Sequence, residues 1–246
     1  MEEWYAVSFA QVVVFCYCLC LVFAYIKKRF INKPLLIFCQ YVAFTIIISW
    51  IIFGFFWGFQ FYSYYIFILP FITYFKIEDT AFLFVLYYLN NTLMLGRLYK
   101  AIIGNARYSR MLTWVIFLVF VLEILIYIFI DGYNKPGKLN VIVDALFCSG
   151  VPLTYIWIWN HRGNNAGLPL KRNVYFLISL GLVVQNVLAL FYFFVMEKLY
   201  QTDPNLYYLS TSIKSVVQIF AIGLFMFAIY QSRYVRFLGI VDDDRQ

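Results

Sequence analysis

Histidine is nearly missing from this chain: His161 is the only one in 246 residues. A membrane haem of the b type needs a pair of axial ligands, and zinc or di-iron centres need clusters of His, Cys and carboxylate. Membrane hydrolases, desaturases and cytochromes built on such centres are therefore out of reach. Charge is scarce as well. Asp, Glu, Lys and Arg make up 13% of the residues, about half the roughly 25% of a soluble domain. No phosphate-cradling glycine loop, kinase signature or GxSxG elbow occurs. No repeat, low-complexity tract or polar stretch long enough to be a separate domain interrupts the chain. Neither an enzyme activity nor a cofactor is expected.

Apolar side chains are what remains. Hydrophobic residues reach 64% and aromatics 23%. A soluble fold of this length has no means of hiding so much apolar surface, so the bilayer is the expected solvent. Apolar runs of about 20 residues mark membrane helices. Seven are present, at roughly 4–26, 35–58, 79–103, 111–131, 140–160, 173–197 and 206–232. Short breaks such as GNARYSR and DGYNKPGK separate them and carry the Gly, Pro and Asn that end helices. Glu2 and Glu3 stand where a cleaved leader would carry positive charge, so the first run is expected to stay.

The segment FYSYYIFILPFITYF, residues 61–75, is too short for a confident span and holds Pro70. Lys and Arg place it. With seven spans and the N-terminus outside, the inner side collects Lys27, Lys28, Arg29, Lys33, Arg97, Lys100, Arg107, Arg110, Arg162, Lys171, Arg172, Arg233, Arg236 and Arg245. The outer side keeps Lys76, Lys135, Lys138 and Lys198. An eighth span would divide the inner collar between the two sides. The expected fold is thus an all-α polytopic membrane protein with seven transmembrane helices, N-out and C-in. The 61–75 segment is then interfacial or re-entrant in the outer leaflet. Residues 1–232 form the bundle, and 233–246 a short inner tail. The net charge of +7 belongs to this collar and to anionic lipid headgroups; no nucleic acid is expected.

Three features look functional and have plainer readings. CYCLC (Cys16, Cys18, Cys20) puts Cys16 and Cys20 on one helix face and Cys18 on another, so buried free thiols are expected. Asn90-Asn91-Thr92 matches a glycosylation sequon but lies inside a span. GFFWG, from Gly54 to Gly58, fits close helix contact. Pro152 offers one place to unwind a helix.

The polar residues inside spans carry the functional expectation. Glu123 interrupts FVLEILIYIF just past the middle of the fourth run. A charge there costs about 2.5–3.5 kcal/mol on insertion scales. It should face protein or water and be paired or protonated. Lys214 and Gln218 share a face of the last run, Asp144 opens the fifth, and Asp79 opens the third. Glu123, Lys214, Asp144, Asp79 and Gln218 are therefore the candidate intramembrane site, with Lys214 pairing Glu123 or Asp144. The expected function is binding or sensing of a ligand or ion in the outer half of the bundle, relayed to a protein partner on the inner side. An accessory subunit of a respiratory or translocation complex is the alternative, and a small carrier or channel the second. A bacterial plasma membrane or an organelle inner membrane is the expected location.

Overall fold

The computed structural model describes residues 2–60, 74, 80–132, 138–163 and 173–235. The 61–75 segment, apart from Tyr74, lies outside the described residues, as do Asp79 and the chain beyond Val235. Among the described residues the secondary structure is entirely helical. Seven α-helices have described bounds: α1 (Glu2–Ile26), α2 (Lys33–Gln60), α3 (Phe84–Ile103), α4 (Ala106–Ile126), α5 (Lys138–Gly163), α6 (Val174–Thr202) and α7 (Pro204–Val235). Each expected apolar run becomes one of them.

Among the described residues five stretches are long and apolar enough to cross a membrane: Lys33–Phe55, Ala106–Ile130, Leu139–Asn160, Val174–Phe194 and Leu209–Ser232. The chain is an integral membrane protein whose outer surface meets lipid. The described apolar part of α1, Ala10–Ile26, is shorter, and α3 carries Asn90, Asn91, Arg97 and Lys100 among its apolar residues.

Local chemistry sets the helix ends. Asn32, Asn105, Asn173 and Asp203 each stand just before a helix, and their side-chain oxygens accept backbone N–H groups of the first turn. Such a cap is worth about 1 kcal/mol. Gly104 ends α3 at φ 65°, and Asn105 caps α4 immediately afterwards. Two residues thus reverse the chain, and α3 and α4 become antiparallel neighbours. Proline does not unwind α5, because the helix runs through Pro152 without a break.

Six helices form a ring. The order of packing is α1, α2, α3, α5, α6, α7 and back to α1. Phe38 of α2 meets Phe225 of α7 edge-on, centroids 5.0 Å apart, in the shared core. Among the described residues the close helix approaches do not use Gly54 of GFFWG, which is exposed with open space around it. They use Gly96, whose missing Cβ admits the Ile116 side chain of α4, and Gly181. A Cβ on Gly181 would lie 2.6 Å from the Phe225 ring and 3.2 Å from the Ala221 carbonyl.

Helix α4 stands outside the ring, packed on α3 and more lightly on α5. Only 11% of its span is buried, against 33–44% in the other four. Trp114, Phe117, Leu118, Leu122 and Leu125 face outward. Its inward stripe runs Leu112, Ile116, Val119, Glu123, Ile126 at helical spacing. A carboxylic acid thus occupies a core position of the least buried span.

Candidate functional site

The site is organised by three consecutive residues of α3. Successive residues on a helix point about 100° apart, so Asn90, Asn91 and Thr92 address three different neighbours. Asn90 Nδ2 donates to Thr45 Oγ1 of α2 at 3.2 Å. Asn91 Nδ2 donates to both carboxyl oxygens of Asp144 on α5, at 3.1 and 2.9 Å. Thr92 Oγ1 donates to Glu123 Oε1 of α4 at 2.8 Å. The tripeptide that reads as an unreachable sequon is the polar hub of the bundle.

Asn91 and Thr92 are consecutive, so the two acids they bind flank one turn of α3. Their surroundings differ. Asp144 Oδ1 also accepts from the Cys148 thiol at 3.3 Å, one turn along α5, so donors enclose it. Glu123 is 0% exposed, and its Oε2 has no hydrogen-bonding partner. Among the described residues no Lys or Arg bonds to either acid. Two uncompensated carboxylates in so dry a place would cost several kcal/mol each. The pair must therefore hold at least one proton or take up another cation.

The other candidates sit elsewhere. Lys214 Nζ lies over the Tyr192 ring, 4.7 Å from its centroid, at the α6–α7 seam. Thr211 and Tyr192 share a hydrogen bond of 2.7 Å beside it. The expected ion pair of Lys214 with Glu123 or Asp144 is not formed. Its absence follows from the packing: α7 spends its contacts on α6 and α1, and α4 lies beyond α3. Gln218 is half-buried one turn along from Lys214. Asp79 is outside the described residues. The structure thus joins Glu123 with Asp144 and separates both from Lys214 and Gln218.

Asn91, Thr92 and Cys148 were legible only as three polar residues in a row and a core thiol. Polar contacts continue on both sides of the hub. Towards the start of α3, the Tyr87 hydroxyl meets Ser49 Oγ. Towards its end, Tyr99 shares a 2.7 Å hydrogen bond with Ser179 of α6 and is fully buried. Tyr17 of α1 donates to Gln185 Oε1 of α6 at 3.1 Å. The five cysteines are free, and among the described residues no three His, Cys, Asp or Glu side chains converge as metal ligands. Comparisons with protein-family models, with curated proteins and with solved structures find no match to this chain.

Proposed function

We propose that this protein is a non-enzymatic seven-helix membrane protein, N-terminus outside and C-terminus inside, that binds a small ligand or ion at the Glu123–Asp144 pair. Occupancy of the pair is relayed to a partner on the inner side through the seating of α4. In this reading the Lys and Arg collar meets anionic lipid on the inner face of a bacterial plasma membrane or organelle inner membrane. The observation that carries it is the burial of Glu123 on a helix that is otherwise mostly lipid-exposed. Few apolar contacts hold α4, so a change of charge at Glu123 bears directly on where it sits. Arg107 and Arg110, exposed in the first turns of α4, are then the natural readout for an inner partner.

Trypsin tests this on the purified full chain in nanodiscs. Cleavage after Arg107 and Arg110 is timed while pH, Na⁺ or K⁺ is varied. A change in rate in the wild type that is lost in Glu123→Gln and Asp144→Asn supports binding with relay. A rate indifferent to all three probes refutes the relay.

A further inference from the structure

We propose that the ligand of the Glu123–Asp144 pair is the proton. The proposal rests on the pair being a binding site and names what it binds.

The geometry of the donors selects the proton. A metal cation needs several oxygen lone pairs converging on one point. Here the groups aimed at Asp144 are donors, the Asn91 amide and the Cys148 thiol, and they already cover both its oxygens. Thr92 donates to Oε1 of Glu123, which leaves Oε2 as the one bare oxygen. A single bare oxygen in a fully buried side chain suits an O–H and leaves a larger cation under-coordinated. The titratable groups around the pair are Cys148 on α5 and Tyr41 on α2; Thr92 of α3, which bonds Glu123, does not titrate. Among the described residues no cation faces the pair, so a proton on Glu123 removes one of its two charges.

Infrared spectroscopy of the full chain in nanodiscs reads the bound proton. The carboxylic C=O stretch reports a protonated acid, and its shift in D₂O reports exchange. The wild type is expected to show a buried carboxyl band that disappears in Glu123→Gln and persists at a moved frequency in Glu123→Asp, which keeps the acid should Gln disturb the fold. A band unchanged by Glu123→Gln overturns the site. If the wild type lacks the band and Na⁺ or K⁺ instead raises its melting temperature through Glu123, the pair binds a metal cation: the proton proposal fails and the binding reading survives. If neither probe acts through Glu123, both fail.

Discussion

Replacing Thr92 by Val should loosen α4 more than the loss of one hydroxyl suggests. Valine keeps the shape of the side chain and removes only the donor to Glu123 Oε1. The hydrogen bond itself is worth about 0.6 kcal/mol on average between membrane helices, with a ceiling near 1.7. The acid left behind matters more. Both its oxygens would be buried without partners, and an unsatisfied buried polar group costs about 1–3 kcal/mol. The expected loss for Thr92→Val is therefore about 1–3 kcal/mol. It should be local, because α4 has little other burial to lose. Glu123→Leu removes the acid together with its need for a partner and places an apolar side chain in the stripe between Val119 and Ile126. It should cost less than Thr92→Val, and the double variant should cost no more than Glu123→Leu alone. The assay is a double-mutant cycle on unfolding in mixed micelles, with trypsin cleavage after Arg110 reporting α4 separately. Additive effects, with Thr92→Val equally harmful in the Glu123→Leu background, would refute the claim that Thr92 acts through Glu123.

Three other outcomes follow from the packing. Gly181→Ala puts a methyl group against the Phe225 ring and the Ala221 carbonyl; overpacking of this kind costs about 1–3 kcal/mol, and a melting temperature equal to wild type would show that the α6–α7 seam is slacker than described. Lys214→Met removes a cation–π contact with Tyr192 and also a half-buried charge, two effects of opposite sign. Its stability should stay within about 1 kcal/mol of wild type, and the carboxyl band of Glu123 should not move, so a moved band would reveal a coupling between the two sites. Asn105→Ala takes the cap from α4 and should cost about 1 kcal/mol, seen as faster trypsin cleavage after Arg107; unchanged cleavage would mean that Gly104 alone holds the turn.

Periodicity and composition determined a good deal of this protein without any tertiary contact. Twenty-residue apolar runs become helices because a backbone in lipid has nowhere else to satisfy its hydrogen bonds. Asparagine and glycine ended them where expected, since those side chains and that backbone freedom act on the nearest turn. Glu123 was conspicuous for the same reason: an acid in an apolar stripe needs a partner whatever the fold. Which partner it has is a different kind of fact. Lys214 and Glu123 look equally placed when helices are read one at a time, and opposite charges invite pairing. The ring order decides otherwise, setting α3 between α4 and the rest and giving Lys214 to Tyr192. Asn90, Asn91 and Thr92 matched a motif by spelling alone. Their shared role emerges only when three helices stand around α3, because a turn of about 100° per residue sends each side chain to a different neighbour. Close approach is equally non-local. GFFWG has the right spacing, yet its Gly54 has only open space around it, while Gly96 and Gly181, unremarkable in the sequence, are where Ile116 and Phe225 need the room. The sequence by itself determined which segments are helices and which residues have no place in lipid. The tertiary structure alone decided which of those residues meet, because helix order around a ring is set by packing between segments distant in the chain.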